Sequence, residues 1–212
     1  MKDNSTLIVI VLDRSSSMMA VKEPTIAGFN EFLKGQQSAP GEANISLIQF
    51  DDKYEVNYSM IDIKKAEPLS NGSFVPRGST ALLDAVGKAI NETGLSLSLM
   101  KEEDRPSKVI FVIQTDGEEN CSREFSKEKI FDMISHQRET YSWEFIFLGA
   151  DQDAIKAADS IGIRGATAMA YSNTRAGNES MYKSVNSSVL RSRGGGTLDF
   201  LDTEREEAID KN

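Results

Sequence analysis

The chain has 212 residues, 39% of them hydrophobic and 27% charged, with a formal net charge of −9. That length suits one sizeable α/β domain rather than two, and the acidic balance argues against nonspecific attachment to DNA, RNA or an anionic membrane surface. With one cysteine, Cys121, and one histidine, His136, an internal disulfide and a thiol-based zinc cluster are excluded.

The first element is Leu7-Ile-Val-Ile-Val-Leu12, an apolar β-branched run that reads as a strand buried on both faces. It is too short to span a membrane and lacks the layout of a secretion signal, so a cytoplasmic protein is expected. Residues 22 to 38 form an amphipathic helix with Ile26, Phe29, Phe32 and Leu33 on one side. Ile45 to Phe50 and Tyr54 to Ile63 are strands joined in a hairpin at Asp51-Asp52-Lys53, the second being the antiparallel edge. A loop from Pro68 to Gly78 precedes a helix beginning near Thr80.

Val109 to Ile113 is a second strand buried on both faces, followed by a helix over 126 to 139 and a strand from Trp143 to Leu148. A helix over 152 to 161, a weak strand near Ala166 to Ala170 and a last helix over 173 to 192 complete the pattern. Buried strands alternating with helices give a Rossmann-like, doubly wound, mostly parallel sheet with one antiparallel edge strand. One domain over 1–192 is expected, and the acidic, Gly-broken stretch 193–212 is read as a flexible tail, with Leu198, Phe200 and Leu201 as candidates for docking.

In such a sheet, ligands bind beyond the carboxyl ends of the strands where strand order reverses. Three segments bring oxygen-bearing side chains there. The first strand runs into Asp13-Arg14-Ser15-Ser16-Ser17, the strand at 109 to 113 runs into Gln114-Thr115-Asp116-Gly117-Glu118, and Arg77-Gly78-Ser79-Thr80 delivers a hydroxyl before a helix. Asp13, Ser15, Ser17, Thr80 and Asp116 make two carboxylates and three hydroxyls with no His or Cys beside them. That set suits a hard cation, Mg²⁺ or alternatively Mn²⁺ or Ca²⁺. Few of the donors are charged, so an open position attracts an acidic group from outside.

Asp-x-Ser-x-Ser after a buried strand, a Thr in a Gly-containing loop before a helix, and Thr-Asp-Gly-Glu after a second buried strand resemble the metal-ion-dependent adhesion site of von Willebrand factor A (vWA) domains. The resemblance covers roughly residues 5 to 170, with the segments in the family's order. It implies the vWA fold, Ser15, Ser17 and Thr80 as hydroxyl ligands, and Asp13 and Asp116 as carboxylates that commonly act through metal-bound water. It further implies a protein-binding adaptor of the stand-alone bacterial or phage type, coupled to movement of a terminal helix, with a partner that supplies the acidic residue.

Each piece also has a plainer reading. Ser15, Ser17 and Thr80 are good helix N-caps, and Asp116-Gly117 is a good turn. Arg14, which departs from the small residues of many relatives, is read as solvated rather than as a lid. Asp51 and Asp52 are read as hairpin-turn polarity, Glu118, Glu119 and Asn120 as a polar loop, Asp151 and Asp153 as helix-start residues, and His136 and Trp143 as structural. The competing function is an Mg²⁺-dependent phosphoryl-transfer enzyme with Asp13 as nucleophile. It lacks a second acid at position 15, and only Arg14 and Arg77 are available to steady a phosphoryl group. Gly194-Gly195-Gly196 follows no buried strand and makes no phosphate loop.

Overall fold

In a computed structural model of the chain, which describes residues 2–150 and 153–209, six strands form one sheet in the order β3-β2-β1-β4-β5-β6. They are β1 (Lys2–Asp13), β2 (Glu42–Phe50), β3 (Tyr54–Asp62), β4 (Pro106–Thr115), β5 (Glu144–Ala150) and β6 (Ala168–Tyr171). All pairings are parallel except β2 with β3, which places the antiparallel strand at the edge, as the hairpin reading expects. Six α-helices accompany the sheet: α1 (Lys22–Ser38), α2 (Leu82–Leu99), α3 (Lys127–Tyr141), α4 (Ala154–Ser160), α5 (Arg175–Arg193) and α6 (Asp202–Ala208). The start expected for the fourth helix at 152 lies outside the described residues, as does Asp151; Asp153 caps α4 by accepting from the Lys156 backbone N–H.

The alternation of β1 builds two cores. Ile8, Ile10 and Leu12 face Phe29 and Phe32 of α1 and Met181, Val185 and Val189 of α5. Leu7, Val9 and Val11 face Val86 and Ile90 of α2 and Ile130 and Ile134 of α3. Each such side chain, fully buried, contributes about 1.5–3 kcal/mol of apolar transfer. Chain order reverses between β1 and β4, so Asp13 and Thr115, at neighbouring strand ends, flank the crevice where doubly wound sheets bind ligands.

The stretch from 193, expected as a flexible tail, is corrected over its described part. Leu198, Phe200 and Ala208 are buried in the α1–α5 core, while Leu201 is 55% exposed. Polar contacts hold the stretch down. Arg191 on α5 donates to both Glu204 carboxylate oxygens, and Arg205 donates to the Ala168, Gly165 and Ala166 carbonyls beside β6. The apolar residues are few, but α5 and the short edge strand leave a trough that they fill.

Two glycines on these helices give opposite expectations. A Cβ at Gly28 of α1 would stand 2.2 Å from the Tyr182 ring of α5, so Gly28→Ala should lower stability by about 1–3 kcal/mol in urea unfolding. A Cβ at Gly94 of α2 would meet nothing nearer than Trp143 at 4.0 Å, so Gly94→Ala should raise stability by about 0.5–1 kcal/mol.

Candidate metal centre

Asp13 ends β1 fully buried. Its Oδ1 accepts from the Ser15 backbone N–H at 2.6 Å and its Oδ2 from the Thr115 hydroxyl at 2.6 Å. Both oxygens are thereby held, one from the loop after β1 and one from the end of β4. The Ser15 and Ser17 hydroxyls lie 3.1 Å apart, and the Ser17 hydroxyl donates to Asp116 Oδ1 at 2.6 Å. A continuous line of oxygens thus runs from the end of β1 to the end of β4.

Thr80 comes from a third segment, held in place by backbone bonds to the other two. The Arg77 N–H donates to the Arg14 carbonyl at 2.8 Å, and the Ser16 N–H and hydroxyl donate to the Gly78 carbonyl at 3.2 and 2.9 Å. Gly78 has φ +70, and a Cβ there would collide with the Asp52 carboxylate, so the turn requires glycine. Thr80 itself exchanges two bonds with Asn120: its N–H donates to the Asn120 side-chain oxygen at 3.0 Å, and the Asn120 N–H donates to its carbonyl at 3.1 Å. A Cβ placed on Gly117 would stand 3.7 Å from both the Ser17 and Thr80 hydroxyl oxygens, so these two hydroxyls face the same spot. All five sequence-predicted donors therefore gather on one rim.

The electrostatics are those of a site short of positive charge. Burial pushes the Asp13 carboxyl up to about 6; the Thr115 hydroxyl and Ser15 N–H oppose that rise, and the nearby Asp116 carboxylate adds to it. Among the described residues, no group of three or more His, Cys, Asp or Glu side chains gathers to hold a metal, so any cation here depends on the hydroxyls. A donor set of oxygen alone, with two carboxylates, fits a hard divalent cation. Because Asp13 is already engaged through both oxygens, it suits contact through water better than direct ligation.

Several residues differ from their plainer sequence readings. Arg14 is 4% exposed and is no solvated side chain: its Nε donates to Asp51 at 3.0 Å and its Nη1 to Glu55 at 2.7 Å. Asp51, read as turn polarity, is fully buried and also accepts from Arg77 Nε at 2.9 Å and from the Lys53 N–H at 2.6 Å. Glu119 ties the loop after the site to α2, accepting from the Leu83 N–H at 3.0 Å and from the Cys121 and Ser122 N–H groups. Thr115 was part of the motif but not singled out, although its position between β4 and Asp116 is what lets it reach Asp13.

A family model described as the von Willebrand factor type A domain matches residues 8–191. Among solved structures, the pilus adhesin SpaC from Lactobacillus rhamnosus GG in its open conformation is similar with a TM-score of 0.65 at 14% identity, covering 91% of this chain and 30% of that one. Proximal thread matrix protein 1 from the mussel byssus, with a zinc-occupied MIDAS motif, gives a TM-score of 0.60 at 13% identity over 86% of this chain and 47% of its own. The manganese-loaded Plasmodium vivax TRAP protein gives 0.53 at 15% identity over 70% and 58%. At these identities the likeness is one of fold, and the chain spans about half the length, or less, of the first structures it matches. No curated protein matches it in sequence.

Proposed function

Because the chain belongs to the von Willebrand factor type A domain family, we propose that it is a binding module, not an enzyme, in which Asp13, Ser15, Ser17, Thr80 and Asp116 hold one hard divalent cation. Mg²⁺ is the assigned ion, with Mn²⁺ and Ca²⁺ as substitutes, and an acidic side chain of a protein partner completes its coordination. The observation that carries this reading is the line of oxygens from Ser15 through Ser17 to Asp116, with the Thr80 hydroxyl facing the same spot. The similar mussel and Plasmodium proteins, described with zinc and with manganese, support a divalent ion at this rim. When bound, the cation supplies a positive centre that overrides the acidic surroundings and draws a carboxylate.

The chain's own residues provide the rest. Ser17 and Asp116 tether the loop after β1 to the loop after β4, and Thr115 holds Asp13 in line. The Arg77–Thr80 turn is pinned to both by backbone bonds, so the donors are arranged before a ligand arrives. The competing phosphoryl-transfer reading loses its cations, because Arg14 and Arg77 are both engaged by Asp51 and Glu55. We place the module as an adaptor of the stand-alone bacterial or phage type in the cytoplasm, in keeping with a lone, half-buried Cys121. No helix among the described residues is long and apolar enough to cross a membrane.

A cation must displace the proton from Asp13. Below about pH 6 that carboxyl is protonated in the metal-free fold, so Mg²⁺ affinity by calorimetry should be level above about pH 7 and fall roughly tenfold between about pH 7 and pH 5. An affinity independent of pH over that range would separate Asp13 from the ion. The partner claim is tested by pull-down from the native host with Mg²⁺, with EDTA, and with Asp13→Ala. We expect a partner retained with Mg²⁺ alone; equal retention in all three would contradict a metal-bridged contact.

A further inference from the structure

The pole of the sheet opposite the metal rim carries a second feature. Between the last turns of α2 and α3 lies an open cavity of about 490 Å³, floored by Ile90, Val109 and Trp143 and walled by Leu95, Leu97 and Tyr141. Gly94 also lines it, and the absence of a side chain there is what leaves the floor open. Two of its apolar lining side chains, Leu95 and Tyr141, are exposed, and so are Leu99 and Met100, which follow the lining residue Ser98 in the chain. Leu95 is 62% exposed, Leu99 80%, Met100 36% and Tyr141 60%. Exposed apolar side chains gathered at one place, rather than scattered, mark an interaction surface.

The polar lip indicates what covers it. Of the two basic side chains in the lining, Arg105 is engaged by the Met100 and Ser98 carbonyls at the end of α2, and His136 lies edge-on to the Tyr141 ring and within hydrogen-bond distance of the Thr140 hydroxyl. Glu102 forms no side-chain hydrogen bond or ion pair among the described residues and leaves an unneutralised carboxylate at the mouth. The C-terminal ends of α2 and α3 add further negative potential. An occupant must therefore bring apolar side chains for the floor and a cation for the lip. It cannot pair as a strand, since β4 and β5 are each paired on both sides. A second copy of this chain, at a net charge of −9, would bring the wrong sign.

We propose that this groove docks a short amphipathic helix of a partner protein, with its apolar face against Trp143 and a Lys or Arg beside Glu102. The ten residues of β4 set the groove roughly 30 Å from the metal rim, so the chain can hold two partners at once. This site stands independently of the cation.

Trp143 is the chain's one tryptophan and reports directly on the floor. The probe is a synthetic amphipathic peptide of Leu and Lys, titrated while Trp143 fluorescence is followed, with a Leu and Glu peptide of the same pattern as control. We expect a saturable change with the Lys peptide, weakened by salt, and none with the Glu peptide. Gly94→Leu should plug the groove and weaken binding about tenfold or more, with the unfolding temperature unchanged or raised. Glu102→Gln should weaken it less, and Asp13→Ala not at all. No saturable change at millimolar peptide, equal response to the Glu peptide, or full binding by Gly94→Leu would each overturn the proposal. So would sedimentation showing a dimer that Gly94→Leu dissolves.

Discussion

Replacing Asp13 by Asn is expected to abolish divalent-cation uptake and, with no cation present, to raise fold stability at neutral pH by about 1–3 kcal/mol. The two effects have one origin. Burial raises the Asp13 carboxyl to about 6 from an ordinary value of 3.8, so the folded chain holds that proton more tightly than the unfolded one. A folded-state value above the unfolded one means an acid whose ionised form opposes folding. Its penalty is fully present above about pH 6, shrinks as pH falls through 6, and is gone below about 3.8. Asn carries no charge to bury and keeps the contacts. Its oxygen accepts from the Ser15 N–H, and its amide donates to Thr115, whose hydroxyl has the Gly117 carbonyl within 3.0 Å as an alternative acceptor. Urea unfolding of both proteins in EDTA, with Mg²⁺ calorimetry alongside, is the measurement. A variant less stable than the parent would show that Asp13 serves packing, not an ion.

Asp51→Ala should have the opposite effect on stability, a loss of about 3–5 kcal/mol, with weakened cation binding in whatever fraction stays folded. Asp51 is fully buried and holds Arg14 and Arg77 together, and Arg14 is itself 4% exposed. Removing the carboxylate leaves a buried guanidinium with only the half-exposed Glu55 to answer it. The Asp51 carbonyl also accepts from the Ala81 N–H at 3.0 Å, next to Thr80, so disorder in this turn is transmitted to a hydroxyl of the site. Asp52→Ala, one residue on and exposed, should change stability by less than about 0.5 kcal/mol in the same thermal and urea unfolding. Equal effects from the two substitutions would remove the buried ion cluster from any structural role.

Periodicity carried most of the fold. The runs at 7–12 and 109–113 are apolar at every position because both sheet faces are covered, and their shortness and β-branched content mark them as strands rather than buried helix. The amphipathic stretch 22–38 coincides with α1. The polar ends of β1 and β4 were less visible: Lys2 to Thr6 and Pro106 to Lys108 have no hydrophobic pattern and are strand only because neighbours pair with them. Strand ends set by pairing leave no local mark.

The five donors were legible because a metal rim needs small oxygen side chains at strand ends, in segments the topology brings together. Their supports were not. Arg14, Asp51 with Glu55, and Arg77 lie on three separate pieces of chain, each polar enough to pass for surface, and only tertiary structure buries Arg14 and Asp51. The stretch after 193 misled for a related reason. Its glycines and acids have the composition of a solvated segment, while Leu198, Phe200 and Ala208 find burial in a trough that no local pattern reveals.

The most direct test of the metal rim is a titration with Mn²⁺ followed by electron paramagnetic resonance, on the wild-type chain and on Asp116→Ala and Thr80→Ala. We expect one bound Mn²⁺ per chain, displaced by excess Mg²⁺, with its spectrum altered by an added acidic peptide and its affinity reduced in both variants. Manganese remaining free at millimolar concentration, or bound equally by all three proteins, would contradict convergence of these oxygens on a cation.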